Sequence, residues 1–190
     1  LRVVIHSLLS GGGRFPALAK SWGQRLPLLL PFGFLTSHFA ENETPTVESA
    51  LTAWLMVLGA RDDALTLLEE MLKDERLLLL VDGLDEWQNR EAAVTALTAL
   101  TNYVQTRRLP MVATSRPLGF ERISDFGPDW KRANLLPLTS DQQREFSSYW
   151  FRHFHKAEAT LDPIALEQAV TRDATGFAND LSEDSILSEL

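Results

Sequence analysis

The chain has 190 residues, of which 45% are hydrophobic, so it can bury the core of one domain or of one domain and part of a second. This composition argues against intrinsic disorder, and the absence of cysteine excludes disulfides, thiolate metal sites and a cysteine nucleophile. A net charge of −8 argues against generic nucleic-acid binding, which requires a basic surface.

The apolar runs are too short to cross a bilayer, which takes roughly 20 residues. The N-terminal segment has a lone Arg2 and an apolar patch interrupted by His6, which is not the pattern of a signal peptide. We therefore expect a cytoplasmic protein with no membrane partner. Because residue 1 is Leu rather than Met, we also expect the chain to be a piece of a longer protein.

The sequence pattern of residues 1–59 predicts helices before and after one strand. Residues 1–9 have apolar residues at helical spacing and are followed by the glycine run at 11–13. Residues 26–35 form a nearly continuous apolar run, which predicts a buried strand with an irregular end. Residues 44–46 open a helix with a regular apolar face, and Gly59 ends it.

Strands and helices alternate in the middle of the chain. Two acidic residues at 62–63 favour a helix start, and residues 77–82 then predict a central strand that is buried on both faces. A helix over 90–104, a strand over 109–115 and a candidate strand over 132–138 follow. This alternation predicts an α/β fold with a mostly parallel sheet.

The C-terminal part predicts helices. Ser140 or Asp141 is expected to cap one, and residues 163–190 form another with an acidic end. The first of these helices carries an aromatic stripe, which we expect to pack in a core. The stripe consists of Phe146, Trp150 and Phe154, and the alternative is a cofactor-binding stripe. Tyr149 lies on the same helix.

Acidic residues follow the central strand directly. Asp82 ends the strand, Gly83 permits a sharp turn, and Asp85 and Glu86 come next. In an open parallel sheet, ligands bind beyond the carboxyl ends of the strands. Carboxylates there can hold Mg²⁺ and polarise an attacking water. The alternative is a simple turn followed by an acidic helix start.

The next strand ends in polar residues and an arginine. Arg116 stands directly before Pro117, which stops the strand. If the two strands are neighbours, Arg116 reaches the crevice of the acids and can bind a phosphate oxygen through its planar fork. A structural ion pair with one of the acids is the alternative.

Taken together, these two segments resemble the NACHT group of STAND P-loop NTPases. Residues 77–86, Leu-Leu-Leu-Leu-Val-Asp-Gly-Leu-Asp-Glu, look like its extended Walker B segment. Residues 111–117, Met-Val-Ala-Thr-Ser-Arg-Pro, look like its sensor 1 strand. Residues 26–30 and 136–151 are similar to the strand after the family's first helix and to the segment after sensor 1. The correspondences run in order from residue 1 to about 160.

The sequence departs from the family in its phosphate loop, because no G-x-x-x-x-G-K-S/T motif occurs. The glycine-rich segment at 10–14, Ser-Gly-Gly-Gly-Arg, follows a predicted helix and lacks the lysine. Residues 1–4, Leu-Arg-Val-Val, resemble the helix that continues from the family's loop, so we expect the loop to precede Leu1. The other interpretation is a degenerate domain that does not hydrolyse nucleotide.

The resemblance implies a three-layer P-loop NTPase core over residues 1–155 that lacks its first strand and P-loop. Residues 156–190 would begin the helical segment that follows the core. It also implies ATP or ADP and Mg²⁺ as cofactors.

Site roles follow from the same resemblance. Asp82 would organise the metal, Asp85 and Glu86 would orient or activate the attacking water, and Arg116 would sense the γ-phosphate. The residues expected to contact the nucleotide are Thr114, Ser115 and Arg116.

The implied function is a signalling switch that binds ATP, hydrolyses it slowly and self-associates in its active state. Defence signalling with an unidentified trigger is the family setting. This chain alone is expected to be inactive. One alternative is a non-catalytic scaffold that uses the same fold to bind a partner protein. Another is a different Mg²⁺-dependent phosphotransfer enzyme, which needs a nucleophilic aspartate at the end of a first strand.

Overall fold

The computed structural model describes residues 1–11, 15–117, 121–122, 130–158 and 162–183. The chain divides into two compact units, Leu1–Trp130 and Lys131–Leu190. The predicted boundary between residues 155 and 156 follows the family architecture and stays a prediction. The glycines at 12–13 and the acidic end at 184–189 lie outside the described residues.

The first unit contains α1 (Arg2–Leu9), α2 (Pro16–Trp22), β1 (Leu26–Pro31), α3 (Phe32–Glu41), α4 (Val47–Val57), α5 (Asp62–Lys73), β2 (Leu77–Asp82), α6 (Arg90–Thr106) and β3 (Met111–Ala113). The second unit contains α7 (Ser140–Glu158) and α8 (Pro163–Glu183). The predicted α/β class is therefore confirmed. Within the described residues, no helix is long and apolar enough to cross a membrane.

The three strands form one parallel sheet in the order β1–β2–β3. Leu28 of β1 pairs with Leu79, and Leu80 pairs with Val112 of β3. β2 is thus the central strand, as predicted. Because all three strands run in the same direction, their carboxyl ends lie at one edge of the sheet.

β2 is covered on both faces, and its side chains alternate between two apolar clusters. Leu79 packs in a cluster with residues of α3, α4, α5 and α6. Leu80 packs in a second cluster with Leu8 of α1 and with residues of α2. All five apolar residues of β2 have no exposed surface, so helices cover this strand on both sides.

The predicted strand over 26–35 is wrong over its last four residues, 32–35. β1 ends at Pro31, and α3 begins at the next residue. Phe32, Leu35 and Thr36 are buried, and their spacing of three and four residues is helical. The period of burial changes inside one apolar run, so hydrophobicity alone does not mark the boundary.

The predicted strand over 132–138 is also wrong. Residues 131–139 have no regular secondary structure, and Leu135 is fully exposed. A strand needs a hydrogen-bonded neighbour, and the described strand pairings include none for this segment. The strand predicted over 109–115 is confirmed in a shorter form, as β3.

The helix start predicted at residues 44–46 is confirmed, because a side chain there caps the helix. Thr46 and Ser49 form a reciprocal capping box at the start of α4. The caps predicted for α7 are wrong by one or two positions. Thr139 and Gln142 exchange backbone-to-side-chain hydrogen bonds there, so Thr139 is the capping residue.

The predicted core position of the aromatic stripe on α7 is wrong. The side chains of Phe146, Trp150 and Phe154 are 45–61% exposed. The buried face of α7 instead includes Ser147, and His155 on the same face lies 2.9 Å from Asp173 of α8. The face that meets α8 is therefore offset from the aromatic stripe.

A polar cluster joins α4 to α6. The Arg107 guanidinium donates to the Glu48 carboxylate at 2.5 Å and lies 5.2 Å from the centre of the Tyr103 ring. The Tyr103 hydroxyl donates to the same carboxylate at 3.3 Å. Burial, followed by the negative charge of Glu48, raises the pKa of Tyr103 to about 12.

We expect Leu79→Ala to destabilise the first unit by about 2–5 kcal/mol, because it leaves a cavity beneath the central strand. Leu58→Ala is the matched control, since Leu58 is 61% exposed, and it should change the free energy of unfolding by less than about 0.5 kcal/mol. Urea denaturation followed by circular dichroism measures both. Equal losses in the two variants would contradict the burial of β2.

We expect the Tyr103 cluster to lose stability in alkali. A folded pKa of about 12, above the unfolded value of 10.0, makes this contribution complete below pH 10 and lost as the pH rises toward 12. Tyr103→Phe removes the ionisable group, so its free energy of unfolding should fall less steeply between pH 9 and pH 11. Denaturation of both proteins at these two pH values tests the sign. A steeper fall in the variant would refute it.

Candidate functional site

The loop after β2 leaves the core at an acid and returns to it two residues later. Asp82 is exposed, whereas Leu84 is 2% exposed. Between them Gly83 has φ +72°, and a Cβ there would lie 2.7 Å from Cδ of Glu86. A side chain at this position therefore meets both an unfavourable backbone conformation and a close neighbour. Glycine lets the acid loop turn directly at the sheet edge.

Thr114, which follows β3, makes four hydrogen bonds with this loop and the end of β2. Its backbone N–H donates to the Val81 carbonyl at 2.9 Å, and its carbonyl accepts from the Leu84 N–H at 2.8 Å. Its hydroxyl donates to Asp82 Oδ1 at 2.5 Å and accepts from the Gly83 N–H at 3.3 Å. Thr114 thus fixes both the backbone of the loop and one carboxylate.

Asp85 makes the reverse connection, from the loop to the end of β3. Its Oδ1 accepts from the Arg116 backbone N–H at 2.9 Å and from the Ser115 hydroxyl at 3.3 Å. The Arg116 backbone N–H holds the pKa of Asp85 below its usual 3.8, against the opposing effect of burial. The Asp85 carboxylate therefore anchors the turn after β3.

The Arg116 side chain extends into solvent. It is 84% exposed, and its Nε lies 3.7 Å from Asp85 Oδ2. An ion pair with an exposed guanidinium at this distance contributes little to stability. The structural ion pair considered as the alternative role of Arg116 is therefore present but weak, and the guanidinium stays accessible to an incoming anion.

The structure brings the predicted residues together in one pair and one group of three. Thr114 contacts Asp82, and Asp85 contacts Ser115 and Arg116. Glu86 is exposed, and its side chain lies next to Gly83. Each of the three acids therefore has different neighbours, and the three carboxylates do not form one cluster.

Sequence reasoning missed Gly33, which lies at the start of α3 beside the acid loop. A Cβ at Gly33 would lie 2.8 Å from the Glu86 carbonyl oxygen, so this close approach leaves no room for a side chain. The signal was present in the sequence, because Gly33 stands between two phenylalanines just after β1. The carboxyl ends of β1 and β2 lie at the same edge of the sheet. The residues that follow β1 therefore lie close to the acid loop that follows β2.

The acids of this loop suit a metal ion that takes only one or two protein ligands. Within the described residues, no group of three or more histidine, aspartate or glutamate side chains could hold a metal ion by itself. Mg²⁺ usually takes one or two protein carboxylates and completes its shell with water and phosphate oxygens. The exposed Asp82 suits that arrangement, whereas the Asp85 carboxylate is already occupied with the turn after β3.

No family model, curated protein or solved structure matches the chain significantly.

We expect Asp85→Asn to lower the free energy of unfolding by roughly 1 kcal/mol at pH 7, because hydrogen bonds to a charged acceptor become bonds to a neutral one. The folded pKa of Asp85 is lowered, so its contribution is present above the unfolded value of 3.8 and is lost as the pH falls through the folded pKa. The difference between wild type and variant should therefore shrink below about pH 4.

Denaturation at pH 7 and pH 3 measures this difference. Asp180→Asn, at an exposed position of α8, is the control and should be nearly neutral at pH 7. A cost of Asp85→Asn that grows on acidification would show that the carboxylate does not anchor the turn.

Proposed function

We propose that the chain forms part of a NACHT-type nucleotide switch, which binds ATP or ADP with Mg²⁺ in the cytoplasm and self-associates in its active state. The observation that carries the proposal is the position of Asp82 and Arg116. Both are exposed, and both lie at the carboxyl ends of neighbouring parallel strands: Asp82 is the last residue of β2, and Arg116 follows β3. This edge is where open α/β sheets bind ligands.

The charges at this edge suit a metal–phosphate complex. The Asp82 carboxylate can take an oxygen-loving cation, and the Arg116 guanidinium can take a phosphate oxygen through its planar fork. When bound, Mg²⁺ supplies the positive charge that neutralises the phosphate oxygens. The protein contributes mainly position, because phosphoryl transfer needs few reacting side chains.

The roles of the remaining residues differ in how well their contacts support them. Glu86 is exposed and can orient a water molecule. Asp85 is less suited to that role than Glu86, since its Oδ1 already accepts two hydrogen bonds from the turn after β3.

The alternative function is a scaffold that binds a partner protein without nucleotide. The absence of a phosphate-loop motif in the 190 residues favours it. The scaffold function predicts that Asp82 and Arg116 can be replaced without effect on the binding of the partner protein.

We expect calorimetry to detect Mg-ATP and Mg-ADP binding by the longest natural chain that contains these residues. Arg116→Ala should weaken Mg-ATP binding by about 10-fold or more, because a charged hydrogen bond is worth roughly 1.5–3 kcal/mol. Mg-ADP binding should change less, since the resemblance places this arginine at the γ-phosphate.

Arg108→Ala is the matched control, because Arg108 is exposed and precedes β3 rather than following it. It should leave both affinities unchanged. Equal effects of the two substitutions would remove Arg116 from the site. Absence of binding by the wild-type chain would overturn the nucleotide proposal and favour the scaffold.

A further inference from the structure

The hydrogen bonds of Thr114 point to a role that differs from nucleotide contact. We propose that Thr114 is a positioning residue, whose hydroxyl holds the Asp82 carboxylate in place for a divalent cation. The metal part of this inference rests on the proposed function. The structural part rests on the four hydrogen bonds that join Thr114 to β2 and the acid loop.

The first argument is the use of the hydroxyl proton. A threonine hydroxyl has one proton to donate and two lone pairs to accept with. The proton of Thr114 goes to Asp82 Oδ1, and one lone pair accepts from the Gly83 N–H. Phosphate oxygens are acceptors at neutral pH, so a phosphate contact through Thr114 would require breaking its bond to Asp82.

The second argument is the geometry that this bond imposes. Asp82 is exposed and ends a strand, so water alone would leave its side chain free to change rotamer. The bond of 2.5 Å from Thr114 Oγ1 selects an orientation of the carboxylate. The Thr114 backbone is itself fixed, because it pairs with Val81 and Leu84. A carboxylate held in this way loses less freedom when it binds a cation.

The third argument comes from Asp85. Thr114 follows β3 and holds the loop after β2, whereas Asp85 lies in that loop and holds the turn after β3. It fixes the turn after β3, from which the Arg116 side chain projects. The two cross-connections thus hold the Asp82 carboxylate and the backbone from which the Arg116 guanidinium projects. Groups that orient a metal ligand without touching the metal typically change metal affinity by about 10–100-fold when they are replaced.

The test compares Thr114→Val, which keeps the branched shape, with Thr114→Ser, which keeps the hydroxyl. The quantity measured is the Mg²⁺ enhancement, which is the ratio of the ADP dissociation constants in EDTA and in Mg²⁺. It is measured on the longest natural chain that contains these residues. Thr114→Val should lower this ratio by about tenfold and leave ADP affinity in EDTA unchanged. Thr114→Ser should restore the ratio.

A second measurement needs no nucleotide. Amide hydrogen exchange at Gly83 should become faster in Thr114→Val, because its N–H loses the Thr114 hydroxyl as acceptor. Thr95→Val is the control. Its hydroxyl bonds only within α6, to the Glu91 carbonyl, in the contacts described. It should change neither the Gly83 exchange rate nor the Mg²⁺ enhancement.

Each outcome decides a separate point. If Thr114→Val weakens ADP binding equally in EDTA and in Mg²⁺, the hydroxyl contacts nucleotide and the positioning role is refuted. If the wild type binds Mg-ADP and Thr114→Val has the same Mg²⁺ enhancement as the wild type, the positioning role is refuted as well. If the wild type binds no nucleotide, the proposed function and the metal role both fail. In that case the Gly83 exchange rate still determines whether Thr114 holds the acid loop.

Discussion

The burial of β2 on both faces is the constraint on which the rest of the structure depends. Five consecutive apolar residues, 77–81, have no exposed surface. Each fully buried leucine contributes roughly 1.5–3 kcal/mol, but only if strands flank it and helices cover it on both sides. An unpaired carboxylate cannot take such a position cheaply. The strand therefore reaches solvent at Asp82, and the position of the acid follows from the core behind it.

Parallel pairing then determines what lies next to that acid. β3 ends at Ala113, opposite Val81, so Thr114 is the next residue in register and lies opposite Asp82. Thr114 and the residues after it therefore lie beside the acid loop. The two connections that result are reciprocal, since Thr114 holds Asp82 and Asp85 holds the Arg116 backbone. Neither exposed charge depends on a flexible loop alone. The site is thus built mainly from backbone pairing, with side-chain hydrogen bonds that refine it.

Features with local causes could be predicted from the sequence. The capping box at Thr46 and the unbroken apolar run of β2 are each visible within a few positions of the sequence. Features with distant causes could not. The segment at 132–138 has the composition of a strand, but a strand requires a partner. The buried face of α7 depends on its contacts with α8, such as the pair His155 and Asp173.

The same distinction applies to the site. The gathering of Asp82, Asp85 and Arg116 at one edge follows from the parallel order of strands, so the sequence predicts it. Which acid contacts which residue depends on side-chain register across 30 or more positions, for example 32 between Thr114 and Asp82. The predicted strand extends to residue 35, four residues beyond the actual end of β1 at Pro31, so it does not place Gly33 at a helix start beside the acid loop.

The parallel sheet also has a consequence for how the chain folds. Leu28 and Leu79 pair across 51 positions, and Leu80 and Val112 across 32, so the ends of long loops must meet before any sheet hydrogen bond forms. Such non-local contacts slow folding relative to helical hairpins such as α7 and α8. The loop at Asp82 acquires its shape only when β2 and β3 have paired. A ligand that binds there would therefore select fully folded molecules over partly folded ones.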